Sequence, residues 1–99
     1  MTTEKVVYTA KDHTIGGRDG GSSRSSEGHL DIKFSLPGKP GDGTNSEQLL
    51  AAGWSACFLS ALAIAASKMH VSLPPDTAID AEVDLCLTGA DFHLKARLP

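Results

Sequence analysis

Ninety-nine residues with a formal net charge of −3 are read as a single small domain, 1–99, and a chain this short hides only a modest share of its surface, so a lone monomer is expected to be marginally stable. The acidic balance leaves no basic footprint for nucleic acid. No charged segment followed by an apolar one opens the chain, so no secretory leader is expected; two cysteines in that setting read as functional thiols or core residues of a cytoplasmic protein, not as a disulfide scaffold.

Val6-Val7-Tyr8-Thr9-Ala10 is β-prone and runs into Lys11-Asp12-His13-Thr14-Ile15, which predicts an opening strand. Gly16-Gly17-Arg18-Asp19-Gly20-Gly21 is dense in turn formers, and its Asp-Gly pair signals a hairpin. A serine-rich stretch, 22–26, and Gly28 follow. Leu30, Ile32 and Phe34 then alternate with Asp31, Lys33 and Ser35, the period of a half-buried strand. Pro37-Gly38-Lys39-Pro40-Gly41-Asp42-Gly43 predicts a loop.

Thr44-Asn45-Ser46-Glu47 fits a capping box, with Thr44 as the cap and Glu47 reaching back. No residue is charged from Gln48 to Ser67. Leu50, Trp54, Cys57, Phe58, Ala61, Leu62 and Ala65 recur at helical spacing, and the opposite side is small rather than charged (Ala52, Ser55, Ala56, Ala63). A helix without a charged side is normally buried all round. Gly53 is a candidate break between a short first helix and a long second one. Lys68 and His70 suit the C-terminal end, and Pro74-Pro75 forbid continuation. From Ile79 to Thr88 the pattern alternates again, with Ala81, Val83, Leu85 and Leu87 on one face and Glu82, Asp84, Cys86 and Thr88 on the other. Phe92, Leu94 and Leu98 suggest a last strand, hairpinned through Thr88-Gly89-Ala90-Asp91. Strands, one helix, then strands define an α+β fold with antiparallel sheet covering the helix. Leu49 to Ala66 is also about as long as the ~18 residues that flag a membrane span. Its richness in Ala, Ser and Gly, and the strands on both sides, favour instead a buried helix in a dimer.

Cys57 sits on the apolar stripe of the helix, where it is either a small hydrophobe or a reactive thiol. Reactivity requires a nearby cation. Arg18, in its glycine-rich turn, is either that cation or a solvated turn residue. Glu47 is the natural carboxylate to hold the guanidinium in a bidentate pair, beside its capping role. In an unbroken helix Glu47 and Cys57 lie roughly 15 Å and about 80° apart, so they share a site only if the helix bends or Arg18 spans the gap. Cys86 falls on the polar side of its strand and reads as a surface thiol. His13, His29, His70 and His93 show no metal-ligand spacing, and the glycines 16–21 lack the Lys-Ser/Thr of a phosphate loop. No metal and no bound cofactor are expected.

Tyr8-Thr9-Ala10, Gly16-Gly17-Arg18-Asp19-Gly20, Gly43-Thr44-Asn45-Ser46-Glu47-Gln48-Leu49 and Ala51-Ala52-Gly53-Trp54-Ser55-Ala56-Cys57-Phe58 occur in the order and near the spacing of one family. Together they strongly resemble the organic hydroperoxide resistance branch of the OsmC/Ohr family. The resemblance implies an intertwined homodimer with central helices enclosed by sheets from both subunits and active sites at the dimer interface. It implies a peroxidatic role for Cys57, an activating role for Arg18 and an orienting role for Glu47. It also implies alkyl or lipid hydroperoxides as substrates, and a lipoylated protein or dihydrolipoamide as the source of reducing equivalents.

One departure stands out. Family members carry a resolving cysteine in a Cys-Pro-Tyr-Ser-like segment downstream, whereas this sequence ends at Leu98-Pro99. The resemblance thus implies a chain lacking the C-terminal third, or a variant that resolves its oxidised cysteine differently. The expected function is a thiol peroxidase. The rivals are an inactive truncated dimer, a binding or stress module of the same family, and a small membrane-anchored peptide.

Overall fold

A strand persists only where its backbone groups find partners, and in this chain that rule decides which β-prone segments become strands. The computed structural model describes residues 4–38 and 40–99; Lys39, inside the expected loop, lies outside the described residues. The fold is α+β and divides into two units, Met1–Asn45 and Ser46–Pro99.

In the first unit, β1 (Asp12–Ile15), β2 (Ser22–Ser25) and β3 (Asp31–Lys33) form an antiparallel meander in that order. The opening strand is shorter than its composition predicts. Residues 6–10 are exposed and outside any strand, because no strand among the described residues supplies ladder partners for them. Conversely, the serine-rich segment 22–25 is the central strand. Thr14, Ser23 and Ile32 stand in register across the sheet. The buried Ser23 hydroxyl lies 2.8 Å from that of Thr14, which satisfies a polar group that burial would otherwise penalise.

The β1–β2 connection, 16–21, holds Gly16, Gly17 and Gly20 at positive φ. A side chain on Gly21 would run into the carbonyl oxygens of Gly17 and Ile15. Gly20 N–H donates to the Phe34 carbonyl (3.1 Å) and Phe34 N–H to the Gly21 carbonyl (2.8 Å), which ties the turn to the end of β3. Further on, Thr44 N–H donates to the Lys33 carbonyl and Ser35 N–H to the Thr44 carbonyl, and Phe34 and Thr44 form a parallel bridge.

In the second unit, α1 (Ser46–Lys68) runs 23 residues without interruption. Gly53 therefore does not break it: a single glycine weakens a helix without forcing a kink when the surrounding residues, here mostly Ala and Leu, favour helix. Apolar residues surround the axis with almost no polar face. The expected burial on all sides is not met within this chain. Ala66 is the one buried apolar residue among those described, while Leu50, Phe58, Leu62 and Ile64 are exposed. By length and composition, α1 is also long and apolar enough to cross a membrane.

The helix ends in a Schellman turn. Val71 N–H donates to the Ala66 carbonyl (2.8 Å) and His70 N–H to the Ser67 carbonyl (3.1 Å), which satisfies two of the last free carbonyls. His70 occupies the left-handed position, φ 58°, where glycine is usual. α1 packs against β4 (Glu82–Thr88), which pairs with β5 (Asp91–Arg97) in an antiparallel hairpin. Gly89 has positive φ at the first of the two turn residues, the pattern of a type II′ hairpin.

His70→Gly is expected to raise stability by about 0.5–1 kcal/mol, because glycine adopts the left-handed conformation without steric cost. Gly21→Ala is expected to lower it by about 1–3 kcal/mol, since the new methyl must displace backbone. Urea unfolding midpoints measure both, and an unchanged midpoint in either variant contradicts the corresponding backbone argument.

Candidate functional site

Three residues carry the expected chemistry, and each is positioned by local structure. Arg18 is exposed in the 16–21 turn of the first unit. The positive φ angles on either side of it and the hydrogen bonds to Phe34 give its backbone a defined course. Glu47 lies in the first turn of α1, half-buried, with Oε2 shielded from solvent. A carboxylate there complements the helix N-terminus, an effect typically worth about 0.3–1 kcal/mol. Arg18 and Glu47 both make polar interactions.

Cys57 lies near the middle of α1 as a free thiol. The expectation that it points into an apolar core is not met within this chain, because Cys57 is exposed. Its neighbours on the same stripe are Trp54, half-buried, and Phe58, 47% exposed. Ser55, on another side, turns its hydroxyl back to the Ala51 carbonyl at 2.7 Å. Since α1 is continuous, Glu47 and Cys57 are about 15 Å apart along the axis, and a direct contact between them is ruled out. Glu47 can act on Cys57 only through a third group. The structure places Glu47 and Cys57 on one helix and Arg18 in the other unit.

Cys86, also a free thiol, lies on β4 directly opposite His93 of β5. It shares the polar face of the hairpin with Glu82 and Asp84, as the alternation predicts, yet it is half-buried rather than a fully exposed surface thiol. On that face Arg97 donates from Nε to Glu82 Oε1 (2.5 Å) and from Nη1 to Asp84 Oδ2 (2.6 Å). Sequence reasoning missed this cluster. Its signal is the pairing register, which sets Arg97 across from Glu82. The hydrogen bond from Arg97 holds Asp84 below its usual carboxylate pKa, slight desolvation opposes this, and the charges of Arg97 and Lys95 add to the lowering. The same bonds, to Asp84 first and Glu82 second, raise Arg97 further above its already high value. Among the described residues no group of three or more His, Cys, Asp or Glu is placed to hold a metal ion.

A three-stranded meander, one long, mostly apolar helix bearing a cysteine and a trailing antiparallel hairpin define the class. The family model described as "OsmC-like protein" matches residues 38–98, and the chain belongs to that family. An organic hydroperoxide resistance protein of Xanthomonas axonopodis pv. citri is 45% identical over 99 residues, covering 96% of this chain and 69% of its own length. The crystal structure of an organic hydroperoxide resistance protein OsmC from Legionella pneumophila superposes with a TM-score of 0.84 at 37% identity, over 95% of this chain and 70% of that one. The organic hydroperoxide resistance protein OhrB of Bacillus subtilis gives a TM-score of 0.79 at 34% identity, over 94% and 69%. The chain thus spans about 70% of the length of these relatives.

The salt bridge makes a pH prediction. A depressed carboxyl pKa stabilises the fold above the ordinary carboxylate value, and that contribution is lost as pH falls through the depressed value. Arg97→Met should return the Asp84 titration, followed by carboxyl NMR, toward its ordinary midpoint. An Asp84 titration that does not move contradicts the assignment.

Proposed function

We propose that this chain is a cysteine-based peroxidase that reduces organic hydroperoxides to alcohols, with Cys57 as the attacking thiol. The observation that carries the reading is the exposed Cys57 thiol on the apolar helix α1 of a chain 45% identical to a relative named for organic hydroperoxide resistance. The Cys57 thiolate attacks the terminal oxygen of the hydroperoxide, and the sulfur–oxygen bond forms as the O–O bond breaks. The leaving alkoxide takes a proton to become the alcohol, and Cys57 becomes a sulfenic acid. A dithiol, either dihydrolipoamide or a lipoylated protein, then returns Cys57 to the thiol, losing water as it closes to its own disulfide.

Arg18 and Glu47 take the supporting roles. A guanidinium favours negative charge on the sulfur and on the oxygen that develops charge in the transition state, and a carboxylate orients it by a bidentate pair. Trp54 and Phe58, on the Cys57 stripe, favour a substrate with a hydrocarbon portion over hydrogen peroxide. The working form is a homodimer. The exposed apolar surface of α1 and of the hairpin residues Leu87, Phe92 and Leu94 is far more than a stable monomer leaves in water, and a second copy covers it. The cytoplasm, a reducing compartment, suits a reactive free thiol.

Two measurements test the reading. After substoichiometric cumene hydroperoxide, mass spectrometry should find sulfenic acid at Cys57 well before Cys86, whose face carries Glu82 and Asp84; prior oxidation of Cys86 sinks the assignment. Arg18→Lys retains the charge but loses the planar fork. Its rate of Cys57 oxidation should fall more than about tenfold, equivalent to about 1.4 kcal/mol of transition-state stabilisation. A wild-type rate would make Arg18 only a turn residue.

A further inference from the structure

A glycine inside a helix costs about 1 kcal/mol relative to alanine, so its presence calls for a physical reason. The common reasons are a positive φ, a kink or the close approach of another group. Within this chain none applies to Gly53. It is absent from the glycines with positive φ, α1 runs through it without interruption, and a Cβ built on it meets no atom within 4 Å. Alanine would fit, and nothing else among the described residues fills the space.

The position of the gap gives it a use. Gly53 precedes Cys57 by four residues, so the two lie on one face, one turn apart, with Cβ positions typically about 5–6 Å apart. Helical side chains lean toward the N-terminus. The Cys57 sulfur therefore leans over the turn that contains Gly53, with Trp54 as the neighbour on its other flank. Both Gly53 and Cys57 are exposed, and Leu50 on the preceding turn is exposed as well. The result is a bare notch in an otherwise side-chain-covered helix, open on the side toward which the thiol leans.

Displacement at a peroxide oxygen requires the sulfur, the attacked oxygen and the leaving oxygen to fall nearly in line. The carbon on the leaving oxygen, with its substituents, must then fit beside the helix. We infer that Gly53 is a specificity-determining residue for the reaction assigned to Cys57: its missing side chain leaves room for a branched or aromatic carbon next to the hydroperoxide group. This rests on the reading of Cys57 as the attacking thiol. Hydrogen peroxide, with no carbon substituent, makes no use of the notch.

The test compares wild type with Gly53→Ala and Gly53→Val, both better helix formers than glycine, with helix content checked by circular dichroism. The ratio of Cys57 oxidation rates for cumene hydroperoxide over hydrogen peroxide should fall at least about tenfold in Gly53→Val, the scale of a misfitted methylene or more, and by less in Gly53→Ala. Alkylation of Cys57 by N-phenylmaleimide relative to iodoacetamide should fall in the same order. This second arm needs no peroxidase chemistry. A wild-type thiol that is alkylated but does not reduce cumene hydroperoxide defeats the proposed function, while the alkylation ratios still decide the role of Gly53. Ratios unchanged in Gly53→Val overturn the inference. So does an equal fall in all rates accompanied by altered sedimentation, which would make Gly53 a packing residue between copies.

Discussion

Twenty-three residues of helix with almost no polar face are the constraint on which the rest of this structure depends. Apolar surface is driven out of water at roughly 25 cal/mol per Å², and a helix that is apolar all round has no side it can leave wet. The chain supplies one small hairpin that packs against this helix, and Ala66 is the only apolar side chain it buries among the described residues. Within the second unit the demand for cover is left unmet. In the proposed assembly a second copy supplies that cover, and the proposed nucleophile, Cys57, then lies in it. A thiol placed where two copies meet is surrounded by apolar side chains, and the hydrocarbon part of an organic hydroperoxide can share that environment.

The chemistry then reduces to how charge is delivered to an apolar stripe. No charged residue lies on α1 between Glu47 and Lys68, so any cation at Cys57 must be contributed by another element. Arg18 is the proposed contributor, on a turn in which Gly16, Gly17 and Gly20 hold positive φ. Cys86 is the contrasting case. It shares a strand face with two carboxylates and an arginine already committed to them, and such surroundings do nothing to favour a thiolate. Two cysteines in one short chain thus have different prospects because their neighbours differ.

Much of the fold was legible in the sequence. The period of Leu30, Ile32 and Phe34 marked β3, the alternation from Ile79 to Thr88 marked β4, which begins only at Glu82, and put Cys86 on its polar side, and the uncharged run marked α1. Three features were not legible. Serines have little preference for strands, and β2 became one because the hairpin register places Ser23 between Thr14 and Ile32, a tertiary cause that local composition cannot display. Val6 to Ala10 has strand composition but no partner strand among the described residues. Gly53 looked like a hinge, yet one glycine in an alanine- and leucine-rich helix does not bend it. For the site, spacing alone left Cys57, Arg18 and Glu47 with alternative readings. The combination of their motifs indicated the family, and the continuous helix then added that Glu47 cannot touch Cys57 directly.

Sedimentation equilibrium without detergent, combined with thermal unfolding across a wide range of protein concentration, tests the central claim most directly. Covering of α1 by a second copy predicts a dimer whose unfolding midpoint rises with concentration, as linkage requires. A monomer with a concentration-independent midpoint, or a chain that stays in solution only with detergent, would contradict it.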